Sequence, residues 1–239
     1  MFNNNKRKNI DIYFGGNQQP TFKKTKKDKK SKKDESDDEE DEETNSLLNG
    51  LGALSKKRDD EKIEREYNHI YFHSEVSRDS IFELTSLIRE AEEECVLTAF
   101  KLNIEDVPIY LHINSFGGSI FAAFSVIDVI KACKVPVYTI IEGATASAGT
   151  LISVVGKKRF IRPNAHMLIH QLSSGCWGKM SEIEDEFKNL QDLMVKITDI
   201  YKENATIPKK ELNELLKHDL WMDSKKCLKY GLVDELWEK

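Results

Sequence analysis

Nowhere in the 239 residues is there a run of about 18 apolar side chains, so a membrane-spanning helix is not expected. The start of the chain also lacks the apolar core of a signal peptide, and MFNNNKRKN has too few arginines for an organelle transit sequence. Cysteine is scarce. Cys95, Cys133, Cys176 and Cys227 lie far apart with no CxxC pair, which argues against a zinc ribbon or a disulfide framework. Four reduced thiols in a cytoplasmic compartment are the expectation. No internal repeat of fixed period occurs, which excludes solenoids and propellers.

Charge is plentiful but close to balanced, with a net value of −5. Residues 1–43 carry eleven basic and eleven acidic side chains, segregated into KKTKKDKKSKK (23–33) and DESDDEEDEE (34–43). Such blocks bury too little apolar surface to offset backbone ordering, so 1–45 is expected to be a disordered charged tail. A lone basic block would attract nucleic acid, but here the acidic block can neutralise it within the chain, and no nucleic-acid partner is expected. Residues 46–66 read as a connector with one short apolar patch, SLLNGLGAL (46–54), and 67–239 as the folded domain.

Within that domain, strands alternate with helices. Residues 69–73 read as a strand, and 77–94 as an amphipathic helix with Ile81, Leu84, Leu87, Ile88 and Ala91 on one face. Strand 107–114, helix 119–133 and strand 135–141 follow. EGATASAG (142–149) reads as a turn, 150–156 as a helix, and 157–161 and 166–171 as strands. A long helix over 181–204 and a shorter one near 209–217 complete the pattern, which is that of an α/β fold with a largely parallel sheet. In the long helix Met180, Ile183, Phe187, Leu190, Met194, Ile197 and Tyr201 recur at alternating steps of three and four, with Ser181 and Glu184 at capping-box spacing. On periodicity alone, the ordinary reading of that seam is a helix buried against its own domain.

Ser147 stands in GATASAG between small residues, after a buried strand and before an apolar helix. There a substrate backbone could approach closely, and helix N–H groups could face a developing oxyanion. Capping is the commoner role of such a serine. His170 ends an apolar strand, where a buried structural histidine is the ordinary reading. The pair His166/His170 lacks a nearby third ligand, so no metal site is expected. A carboxylate would complete a Ser-His-Asp set, but spacing does not choose among 41 acids.

Four ordered motifs, INSFGGSI (113–120), GATASAG (143–149), KRFIRPNAHMLIHQ (158–171) and WMDSKKCLKYGLVDE (221–235), resemble the proteolytic subunit of the Clp protease, including its phage and viral relatives. The resemblance covers about 170 residues. It implies a ClpP/crotonase-like fold of repeated β-β-α units with a protruding strand-helix handle, and serine endopeptidase activity through an acyl-enzyme. On the matching positions the catalytic set falls on Ser147, His170 and Asp219, the oxyanion hole on the backbone N–H groups of Gly118 and Ala148, and substrate pairing on Leu172, Ser173 and Ser174. Gly118 would leave room for substrate.

The resemblance further implies polypeptide substrates and stacked heptameric rings of identical subunits. It implies no cofactor in this chain, ATP being used only by a partner unfoldase. Three departures from the family pattern matter. Phe116 stands where a proline precedes the paired glycines, and Ala148 replaces the usual methionine. His112, Ala132 and Glu142 occupy part of the apolar pocket where an unfoldase loop docks, so any such partner is expected to dock in a non-standard way. A viral capsid or scaffold maturation protease and a catalytically silent ring scaffold are the alternatives. An acyl-CoA enzyme of the crotonase type shares the fold but not the serine set.

Overall fold

The computed structural model describes residues 61–238. The expected tail, and the connector up to residue 60, lie outside them. Five residues assigned to the connector belong to the fold: Lys62–Glu66 forms β1, antiparallel to β2 (His69–His73) across a turn at Tyr67. Next come α1 (Arg78–Leu102), β3 (Ile109–Ser115), α2 (Ile120–Ala132), β4 (Val137–Ala146), α3 (Ala148–Val154), β5 (Lys158–Ile161) and β6 (His166–Leu168). After these are α4 (Met180–Asn204), α5 (Lys209–Leu215), β7 (Met222–Asp223), α6 (Ser224–Lys229) and β8 (Glu235–Leu236). The result is a mixed α/β fold with a mostly parallel sheet, in the order β1-β2-β3-β4-β5-β8, with β6 on β4 and β7 on β6.

α1 starts where the Ser77 hydroxyl accepts from the Ser80 amide, and it ends on Asn103 in the left-handed conformation. It runs two turns beyond the expected end at Glu94. Cys95 and Ala99 continue its buried stripe, but Val96, Leu97 and Phe100 are apolar on the solvent side and blur the period. α2 is apolar on nearly every side and is packed accordingly, with Ile120, Ala123, Val126 and Ile127 buried. The core lies where these helices, α3 and the C-terminal half of α4 cover the sheet.

The segment expected to be a turn at 142–149 is instead mostly strand. β4 pairs along β3 and, over Tyr138–Ile141, with β5. A register shift follows, with Gly143 at φ +60°, and Ala144–Ala146 then pair with β6. A bulge at a glycine lets one strand serve two successive neighbours. This carries Ser147 to the end of β6, where its amide donates to the Leu168 carbonyl at 2.9 Å.

α4 is divided by its surroundings. Ile197, Ile200 and Tyr201 are buried, whereas Met180 (70% exposed), Ile183 and Phe187 (62%) project into solvent. Its start differs from the expected cap: the helix begins at Met180, and Glu182 reaches back to accept from the Lys179 amide at 2.8 Å. The strand of the handle that the resemblance implies, which would fall at 172–177 just before α4, is not formed: those residues lie outside the strands of the described residues.

Candidate active site

Ser147 occupies φ +58°, ψ −126°, a conformation that a residue with a Cβ adopts only under constraint, at about 1–3 kcal/mol. Its residue surface is 1% exposed, and its hydroxyl makes no capping bond and no hydrogen bond among the described residues. The common structural role of a serine at this position is therefore not the one it plays. A buried hydroxyl without a partner is costly, so its retention calls for a function or a ligand.

His170 lies two residues past the β6 carbonyl that holds Ser147. Its Nδ1 is 2.6 Å from Oδ1 of Asp219. A carboxylate only accepts, so Nδ1 carries the hydrogen, and the buried Nε2 is the basic nitrogen of the neutral ring. Asp219 is placed by the turn that closes α5, where His218 donates to Leu215, while the Gln171 amide donates to Leu216 and ties the histidine segment to that turn. The Asp219 side chain is 77% exposed in the single chain. His166, read beside His170 in the sequence, is exposed and bonds to the Asn164 carbonyl.

Gly117 lies against the serine turn and Gly118 against Val76. A Cβ on Gly117 would meet Cβ of Ser147 at 2.6 Å. One on Gly118, at φ +141°, would meet the Val76 carbonyl oxygen at 2.3 Å. The sequence-based reason for Gly118, room for substrate, is thus incomplete: its own fold requires the glycine. The bridge between Val76 and this loop uses the Gly117 carbonyl and the Ser119 amide, not the Gly118 amide. Ala148 opens α3 next to Ser147. Of the expected substrate residues, Leu172 is half-buried with its amide 3.2 Å from the Met194 sulfur, and Ser173 and Ser174 are at the surface.

Sequence reasoning missed two features here. Phe116 and Trp221 meet edge to face at 6.2 Å, one beside the paired glycines and the other two residues past Asp219. Thr150 and Tyr201, both fully buried, join their hydroxyls at 2.6 Å directly behind the Ser147 carbonyl. Tyr201 had a signal only as one more apolar position of a helical seam.

His112 and Glu142 form a polar chain with His69: His69 Nδ1 and His112 Nε2 are 2.9 Å apart, and His112 Nδ1 donates to Glu142 at 3.0 Å. Arg162 adds a bond at 3.1 Å, and Tyr71 stacks on the His112 ring at 4.5 Å. The His112 bond, with His73 and Arg162 adding, holds the Glu142 carboxyl well below its ordinary 4.5 despite burial. A depressed carboxyl stabilises the fold above its unfolded pKa and loses that contribution as pH falls. The Tm advantage of the wild type over Glu142→Gln is therefore expected to be about 2–4 °C near pH 6, and to shrink steadily below pH 4.5. An advantage that grows on acidification would contradict this account.

The Clp protease family profile matches residues 64–239. ATP-dependent Clp protease proteolytic subunit 2 of Treponema denticola is 39% identical over 131 residues, 54% of this chain and 66% of that protein. The ATP-dependent Clp protease proteolytic subunit of Streptococcus mutans is 34% identical over 182 residues, 73% of this chain and 91% of that protein. The Deinococcus radiodurans subunit is 32% identical over 130 residues, covering 54% and 64%. The match runs from inside β1 to the last residue and takes in the serine turn, the paired glycines and the histidine–aspartate pair: the chain belongs to the Clp protease family.

Proposed function

We propose that the chain is a serine-type endopeptidase, the proteolytic core of a ring-shaped Clp-type protease, with Ser147, His170 and Asp219 as its catalytic set. Peptidase chemistry follows from the family. The observation that carries the serine assignment is the strained, buried Ser147 hydroxyl that caps nothing, with its amide held by Leu168, two residues before a histidine whose Nδ1 is bonded to Asp219.

His170 Nε2 takes the hydroxyl proton as Ser147 Oγ attacks the peptide carbonyl carbon. The tetrahedral oxyanion is received by the N–H groups of Gly118 and Ala148, each worth roughly 10²–10³ in turnover. Collapse breaks the C–N bond, and the imidazolium gives its proton to the departing amine. Water then enters with the same histidine as base, and the acyl-serine ester is hydrolysed. Asp219 keeps the ring in the reactive tautomer. No metal or organic cofactor enters these steps.

The substrate is an extended polypeptide pairing along Leu172–Ser174, next to His170 in the chain. The exposed Met180, Ile183 and Phe187 of α4, with the exposed Trp177, support a handle that stacks heptameric rings of identical subunits and encloses the active sites. The relatives' names carry the words ATP-dependent. ATP belongs in this reading to a partner unfoldase. Its docking is non-standard because buried His112 and charged Glu142 replace apolar contacts. No described helix is long and apolar enough to cross a membrane, and a cytoplasmic site of action is proposed.

Fluorophosphonate treatment followed by peptide mapping and native mass measurement tests the whole reading. A single adduct on Ser147 within a ring-sized oligomer that cleaves short peptides without ATP is expected. An assembled, unlabelled and inactive ring would leave only a scaffold. Tight, tail-independent binding to a standard Clp unfoldase would remove the docking part alone.

A further inference from the structure

The Ser147 carbonyl is held by an arrangement of its own. It accepts from the Thr150 amide at 3.0 Å and from the Thr150 hydroxyl at 2.6 Å. A threonine hydroxyl has one hydrogen, and here the Ser147 carbonyl takes it. The Tyr201 phenol, 2.6 Å from Thr150 Oγ1, is therefore the donor in the second bond, and the chain runs one way from Tyr201 through Thr150 to Ser147. Both side chains are fully buried, so water does not compete for these bonds, and burial raises the phenol pKa and keeps it protonated.

The target of this chain is half of a rigid unit. The Ser147 C=O and the Ala148 N–H belong to one planar peptide group and point in opposite directions across it. Anchoring the carbonyl inward aims the Ala148 amide outward, toward the side where an oxyanion would form. The Ser147 amide is fixed in turn by Leu168. The strained dihedrals are thus clamped at both ends, as an unfavourable conformation requires to persist.

We propose that Tyr201 and Thr150 are positioning residues for the reaction: they orient the Ser147–Ala148 peptide group so that the Ala148 N–H faces the oxyanion, and they tie that orientation to helix α4. The inference rests on the serine-peptidase reading. It adds two residues to that reading, from elements that carry no member of the proposed catalytic set.

An oriented oxyanion donor acts on the transition state and not on substrate binding, so the loss falls on kcat with KM unchanged. The ceiling is the 10²–10³-fold cost of removing such a donor altogether. Tyr201→Phe leaves the threonine bond and should cost about tenfold in kcat for a short peptide; Thr150→Val removes both links and should cost about 10²-fold. Thr150→Ser retains the hydroxyl and should stay within about twofold of wild type. Thr150→Val/Tyr201→Phe should equal Thr150→Val, because both act through one oxygen atom.

The measurement is kcat and KM on intact assembled protein, with active sites titrated by fluorophosphonate so that unfolded material does not count. If Thr150→Val fails to assemble, the Tyr201→Phe loss and the Thr150→Ser rescue still decide. Variants that turn over at the wild-type rate per titrated site, whatever their Tm, or losses that multiply in the double variant, overturn the proposal while leaving Ser147 as nucleophile. A wild type that takes no label overturns the peptidase reading and this inference with it.

Discussion

His170→Ala is expected to lower kcat for a short peptide by about 10⁶-fold with KM within a few-fold of wild type. The size follows from the dependence of the other two residues on it. In the proposed catalytic set, Ser147 is a weak nucleophile unless its proton leaves as the C–O bond forms, and Asp219 acts only by orienting the ring. Removing the histidine therefore removes nearly everything the set contributes, and in sets of this kind losing the serine or the histidine alone costs about as much as losing all members. That corresponds to about 8 kcal/mol of transition-state stabilisation. The residual rate, about 10³-fold over water, would come from the oxyanion donors and substrate binding, which the substitution leaves in place. Steady-state kinetics on an assembly of unchanged mass is the check. A loss of only tenfold would mean that another group, or bulk hydroxide, deprotonates Ser147.

Much of this architecture is legible in the sequence because it is periodic. The stripe of Ile81, Leu84, Ile88 and Ala91 places α1, and the apolar run at 137–141 places β4. What periodicity misses has a common cause: it reports that a face is covered, not by what. The α4 seam reads as one continuous stripe from Met180 to Tyr201, yet its C-terminal part is buried in its own domain and its N-terminal part faces solvent. In the same way, Gly143-Ala-Thr-Ala offers Thr145 alone as a branched residue among small ones, too weak a strand signal, and small residues suit a strand that bulges and changes neighbours.

The proposed site was legible only through ordered motifs. Ser147, His170 and Asp219 come from three separate segments, and no local rule selects one acid among 41. Geometry supplies reasons that the motifs do not contain. It shows a serine that caps nothing, a glycine at 118 demanded by the Val76 carbonyl, and a tyrosine that resembles any other seam residue until its hydroxyl is seen behind the serine turn.

Asp219→Asn should lower kcat by about 10⁴-fold, and Asp219→Ala should be the milder of the two. In the wild type the carboxylate accepts from Nδ1 at 2.6 Å, which fixes the hydrogen there and leaves Nε2 able to take the serine proton. An asparagine amide turned toward Nδ1 becomes a donor, and the ring answers by moving its hydrogen to Nε2, the tautomer that cannot act as base. Alanine imposes no wrong tautomer. With Asp219 as open to solvent as it is, water can enter and accept from Nδ1, so part of the orientation survives. The expected order in kcat, wild type above Asp219→Ala above Asp219→Asn, is measured at saturating peptide and at one pH for all three. It separates tautomer control from charge stabilisation. If stabilising the imidazolium by charge were the whole role, alanine and asparagine would lose equally. Exposure also makes any pure charge effect sensitive to salt, whereas the tautomer effect is set by a direct hydrogen bond. The asparagine deficit should therefore persist unchanged between low and high ionic strength, and a deficit that closes with salt would return the role of Asp219 to electrostatics alone.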